Sequence, residues 1–222
     1  MQNTSHAVMA QRTEAKDSLD NFPTPPWATR AFLENVIELG GYKDRLTALE
    51  PACGDGHMAK VLGNYFGEVS ASDIHAYGFG EVRDFTETPY PAGSFDWVIT
   101  NPPFRLAEEF IFRALPIARR GVAMLTRTVF IESIGRYKRL FTETPPTKVA
   151  QFTERVPMVK GRLDRKASTA TGYAWIVWEK GVSRPTELVW IPPSRKLFER
   201  DEDYSTPEVV CHPALRADPP HL

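Results

Sequence analysis

Short runs of strand-forming residues alternate with segments of helical period through most of this chain, and that alternation limits the fold more than any other feature. Strands are expected at Leu46–Glu50, Val69–Ile74, Phe95–Thr100 and Val122–Thr126, with a final pair at Lys148–Phe152 and Ala174–Trp178. A first helix, capped by Thr24 with proline at its start, carries Trp27, Phe32, Val36, Ile37 and Leu39 and ends at Gly40-Gly41. Further helices are expected at His57–Phe66, at Leu106–Arg120 with a kink at Pro116, and at Glu132–Phe141. Such alternation predicts an α/β fold built on a doubly wound, mostly parallel sheet that ends in an antiparallel strand. Ligands of such sheets sit at the carboxyl ends of the strands.

The 222 residues, 42% hydrophobic and 25% charged, suffice for one domain with a full core. The expected division is a mobile arm over 1–20, a single domain over 21–193 and a charged, proline-rich, partly disordered tail over 194–222. No run of about 18 apolar residues exists to cross a membrane. Residues 1–6 show neither a basic nor an apolar leader region, so a cytoplasmic protein is expected. Cys53 and Cys211 cannot build a disulfide framework or a cysteine-rich zinc site, and the five histidines have no ligand spacing. No metal is expected.

The net charge of −1 hides a segregation. Residues 1–100 carry seven basic against fourteen acidic side chains, and residues 101–180 carry fifteen against seven. A basic middle in a near-neutral chain suggests a face for a polyanion, although a solvated surface would give the same counts.

Three motifs carry chemistry. Glu50-Pro51-Ala52-Cys53-Gly54-Asp55-Gly56 joins an expected strand to an expected helix. Its glycines allow close backbone approach to a ligand, while Glu50 suits a cation better than a phosphate. Asp73, at the end of the second strand, is placed to bind ribose hydroxyls, or else to cap a helix. Asn101-Pro102-Pro103-Phe104 follows the strand that ends at Thr100. Two prolines fix the backbone and remove two donors, so the Asn amide oxygen and a neighbouring carbonyl can accept both hydrogens of an amino group. Phe104 can stack on a planar ring.

These motifs, in this order, resemble the S-adenosylmethionine-dependent DNA adenine-N6 methyltransferases, particularly the small bacterial and phage-type members. The resemblance runs from Phe22 to Trp178. Phe22-Pro23-Thr24-Pro25-Pro26-Trp27 resembles the family's opening cofactor motif, and Glu50–Gly56 its glycine-containing motif, with Ala52 where many members have Phe. Asp73-Ile74 resembles the ribose-binding motif, and Asp84-Phe85 the pair that holds the cofactor's adenine. Asn101–Phe104 matches the catalytic tetrapeptide, with Phe where Tyr is frequent, and Asn101 also borders the cofactor.

The resemblance implies the following reaction. The exocyclic amino nitrogen of adenine is a poor nucleophile, because its lone pair is delocalised into the ring. Hydrogen bonds to Asn101 Oδ1 and the Pro102 carbonyl favour a pyramidal nitrogen, which attacks the sulfonium methyl in line. A base in a duplex is first extruded, and Phe104 stacks on it.

Lys160, Arg162, Arg165 and Lys166, in a polar loop with Ser168, Thr169 and Thr171, are expected to grip phosphates, although a solvated loop would carry the same residues. Arg136, Lys138 and Arg139 fit a solvated helix face equally well. His57 reads as a helix-start residue and Cys53 as a small buried one. The chain has no room for a separate recognition domain, so sequence specificity is expected to be low, loop-borne or supplied by a partner or a second copy. Glutamine-N5 and RNA guanine-N2 methyltransferases share a similar tetrapeptide, whereas cytosine-N4 enzymes more often have Ser at its first position. The opening motif and the basic loop favour DNA. A non-catalytic cofactor- or DNA-binding relic is the remaining alternative.

Overall fold

The computed structural model describes residues 20–204. The expected arm up to Leu19, and the tail from Ser205 onward, lie outside the described residues. Eight strands form one sheet: β1 (Thr47–Glu50), β2 (Glu68–Asp73), β3 (Glu81–Val82), β4 (Phe95–Thr100), β5 (Ala118–Arg127), β6 (Lys148–Phe152), β7 (Tyr173–Glu179) and β8 (Glu187–Ile191). Their order is β3-β2-β1-β4-β5-β7-β6-β8. β7 runs antiparallel to both its neighbours, and every other pairing is parallel.

This order fixes where a ligand can go. The chain winds from β1 through β2 to β3 in one direction, then returns to lay β4 against the other side of β1. The crossover helices therefore part between β1 and β4, and a crevice opens at the carboxyl ends of those two strands. Pairing of Leu49 with Val98 puts Glu50 and Asn101 at the same edge of the sheet.

Apolar side chains fill both faces. One core joins Trp27, Phe32 and Leu62 to Trp97, Trp175 and Ile191, and Phe32 stacks on Trp175 with ring centroids 4.2 Å apart. The other packs Phe110, Ile111 and Ala114 against Val98, Val122 and Ile176. Central strands buried on both faces read as continuous apolar runs, which explains why Phe95–Thr100 is legible to the residue. No helix among the described residues is long and apolar enough to cross a membrane.

Local differences from the expected elements have local causes. Helix α1 spans Pro26–Asn35, and Val36 and Ile37 are buried beyond its end. Its N-cap is Pro25, with no side-chain cap, and the Thr24 hydroxyl is engaged elsewhere. Helix α2 (His57–Leu62) stops at Gly63 rather than continuing to Phe66. Helix α3 (Ala107–Ile117) ends one residue after Pro116, and β5 starts at the next residue, so the proline terminates the helix instead of kinking it. The expected helix over 132–141 is broken. A 3-10 turn (Thr128–Ile131) leads into a short helix α4 (Ile134–Arg136), whose Arg136 N–H donates to Ser133 Oγ, and a π turn follows over Tyr137–Phe141.

β3 and β8 were not anticipated: the first has two exposed residues, and the second lies at the sheet edge with Leu188 and Trp190 facing outward. Beyond β8, Arg195–Phe198 forms helix α5, and a 3-10 turn covers Asp201–Tyr204.

Candidate active site

A cavity of about 1470 Å³ opens at the crevice between β1 and β4. Of the residues singled out by sequence, Phe22, Thr24, Glu50, Ala52, Gly54, Asp73, Ile74, Asn101, Pro103, Phe104, Lys160 and Arg162 line it. Pro25, Pro51, Gly56, Asp84, Phe85, Pro102, Arg165 and Lys166 do not.

The floor is built by β1 and β2. Gly54 and Gly56 hold φ values of +50° and +78°, a region that favours glycine. Gly56 has a second reason to lack a side chain, since a Cβ there would lie 2.3 Å from the Phe79 ring. Gly56 thus shapes the turn from behind. Asp73 accepts from Gly54 N at 2.9 Å through Oδ2 and from His75 N at 3.0 Å through Oδ1. Each carboxylate oxygen keeps a further lone pair, so the same side chain that ties two loops together can still accept from a ligand hydroxyl.

Glu50 is only 2% exposed, and its Oε2 is buried with no hydrogen-bond partner. Burial, reinforced by the negative charge of Asp73, holds its proton affinity well above the usual carboxylate range. A carboxyl group in that state awaits a cation or a donor. Burial likewise pushes the Cys53 thiol up to about 12, which leaves it unreactive, and lowers the affinity of His57 for a proton.

Asn101 leaves β4 just past Thr100. Its Nδ2 donates to the Phe22 carbonyl at 2.9 Å and to Thr24 Oγ1 at 3.1 Å, with Met158 Sδ at 3.8 Å. A carbonyl can only accept, so this contact fixes which end of the amide is nitrogen. Both amide hydrogens are used, and Oδ1 is left buried and unpartnered. Phe22 and Thr24, expected to hold a cofactor, thus orient the tetrapeptide. Phe104 N donates to Asp20 Oδ2 at 2.8 Å, so the last residue of the expected arm is pinned at the site. The Phe104 ring lies among Phe22, Tyr173 and the Arg127 guanidinium, whose central carbon is 4.0 Å from the ring centroid.

The expected adenine-binding pair is occupied elsewhere. Asp84 Oδ1 accepts from Thr86 N and Thr86 Oγ1 at 2.8 and 2.7 Å, which holds its carboxyl below the usual range. Phe85 is buried against Phe110. The basic loop divides in the same way. Lys160 and Arg162 reach the cavity, Arg162 while pairing with Asp164 of the same loop at 3.2 Å, and Gly161 N donates to the Asn21 carbonyl at 2.8 Å. Arg165 instead pairs with Asp201 at 2.8 Å and Glu199 at 3.5 Å, and its carbonyl accepts from Arg195.

Sequence reasoning passed over Asp20, Arg127, Met158 and Tyr173. For Arg127 a signal existed, because it ends β5 and the ends of strands are where ligands bind. Asp20 and Tyr173 gave none.

No protein-family model matches the sequence, and no curated protein matches it. Solved structures do. A Listeria monocytogenes protein described as a class I S-adenosylmethionine-dependent methyltransferase superposes with a TM-score of 0.54 at 13% identity, over 80% of this chain and 67% of that one. A Vibrio vulnificus protein described as a modification subunit of a type I restriction enzyme gives 0.53 at 14% identity, over 78% of this chain and 46% of its own. A Pyrococcus horikoshii protein described as an RNA methyltransferase gives 0.51 at 14% identity, over 75% and 90%. The present chain therefore spans about half the length of the Vibrio subunit. Strand order and superposition agree: this chain has the Rossmann-like class I methyltransferase fold.

Proposed function

We propose that the protein transfers a methyl group from S-adenosylmethionine to the N6 amino group of adenine in DNA, in the cytoplasm, using residues 21–193 as its methyltransferase domain. The observation that carries this reading is Asn101, a cavity-lining residue whose amide hydrogens are committed to Phe22 and Thr24 while its oxygen stays buried and unpartnered. Such an oxygen is preset to accept from an amino group.

The residues present fit the cofactor. Glu50, buried with an unpaired oxygen, suits its positive charge, Asp73 suits its ribose, and the turn through Gly54 lets backbone come close. Asp84 and Phe85 join the adenine site only if their turn opens toward the cavity. When bound, S-adenosylmethionine supplies an electrophilic methyl group. Asn101 Oδ1 and the Pro102 carbonyl accept the two amino hydrogens, which localises the nitrogen lone pair, and Phe104 holds the ring in line. Lys160 and Arg162, at the rim, contact phosphates.

Specificity is proposed to be low, or to be supplied by a partner that reads the sequence. The likeness to a restriction-modification subunit supports such a partner. The test incubates the protein with methyl-labelled cofactor and, separately, DNA, RNA or protein, then identifies the product by mass spectrometry. N6-methyladenine in DNA is expected. Label in guanine of RNA or in glutamine, or none at all, would overturn the assignment.

A further inference from the structure

The proposed chemistry gives Phe104 the task of stacking on the target, yet one face of that ring already carries a planar cation. The Arg127 guanidinium carbon sits 4.0 Å from the ring centroid, at contact distance for a stacked pair. As the last residue of β5, Arg127 leaves the sheet at the same edge as Asn101 and lines the same cavity. Its polar neighbour is the Tyr173 hydroxyl.

Two arginines of the neighbouring loop pair with carboxylates, Arg162 with Asp164 and Arg165 with Asp201. Arg127 pairs with no carboxylate among the described residues. Its guanidinium therefore rests on an aromatic face inside the candidate substrate cavity, which the Asp20 carboxylate also lines.

We infer that Arg127 is a substrate-binding residue held in reserve: its guanidinium occupies the face of Phe104 that an extruded adenine takes, and entry of the base moves it onto a phosphate flanking that nucleotide. The inference rests on the DNA reading above. A guanidinium and a base are both flat and both stack well on an aromatic ring, so one can replace the other without leaving the ring face to water. The departing cation exchanges an aromatic contact for a charge-assisted one with phosphate. The same group thus keeps the stacking surface closed before binding and adds to the grip afterwards.

The test uses the full chain, saturated with cofactor, and a duplex that the wild-type protein methylates. Binding is followed against salt, with 2-aminopurine at the methylated adenine reporting stacking. Arg127→Met should keep cofactor affinity within about twofold of wild type while lowering the log-log salt slope by about 0.9, the value of one phosphate contact. Arg127→Lys should restore the slope, since an ammonium also reaches phosphate. Phe104→Leu should retain the slope and lose the 2-aminopurine quenching. If Arg127 only props the ring, Met and Lys would behave alike, with reduced quenching and an unaltered slope, and the inference fails. Should the wild type methylate no duplex, the functional reading falls and takes this one with it.

Discussion

The proposed role of Asn101 depends on two neighbours that accept its amide hydrogens, the Phe22 carbonyl and Thr24 Oγ1. Asn101→Ala should therefore leave cofactor affinity nearly intact while lowering the rate of methyl transfer by roughly 10²–10³-fold, because the lost acceptor acts where the nitrogen reacts. Single-turnover kinetics beside calorimetric titration separate the two effects. Glu50 supports a prediction with a pH signature. Its proton affinity is raised in the folded chain, so between the ordinary value of 4.5 and that higher one the native state binds more protons than the unfolded state. Stability contributed at this site then falls as pH rises through that window. Glu50→Gln should remove the fall and stabilise the unliganded protein at neutral pH. It should also weaken S-adenosylmethionine binding, which in the wild type is expected to tighten with rising pH and to release protons. Thermal melts and titrations in buffers of different ionisation enthalpy read both.

The loop between β6 and β7 and the turn after α5 work as one unit. Lys160 and Arg162 are carried by a loop that Arg165 ties to Asp201 and Glu199. Arg165→Ala is expected to speed hydrogen exchange across residues 159–171, while lowering the DNA salt slope less than Lys160→Ala and Arg162→Ala do together. Equal reductions would return Arg165 to the phosphate-binding set. The glycine turn is constrained by its packing. Gly56→Ala adds a left-handed backbone penalty to a clash with Phe79, and should cost about 2–3 kcal/mol in chemical denaturation.

Across the described residues, segments far apart in sequence meet at α1. Arg30 forms a two-pronged pair with Asp203 at 2.8 Å, with side chains 6% and 3% exposed, and its Nη1 also donates to the Phe198 carbonyl. Breaking a buried pair from one side strands the other charge, so Arg30→Ala should cost about 3–5 kcal/mol and lower the melting temperature on the order of 10 °C. Those contacts also explain what could be read in advance. The order of apolar runs, the turn through Gly54 and Gly56 and the tetrapeptide after β4 were legible, because each depends on residues close in the chain and on a periodicity that burial imposes. The switch of winding direction beside β1 then puts Glu50, Asp73 and Asn101 at one edge. Tertiary structure alone decided which partners each of them found. Thr24 reads locally as a helix cap, yet it accepts from Asn101, 77 residues away. Arg165 reads as a free cation, yet it neutralises Asp201. Spacing reports which face of an element is buried. A hydrogen bond or ion pair depends on which atoms from distant segments arrive at the same point, and only the packed chain specifies that.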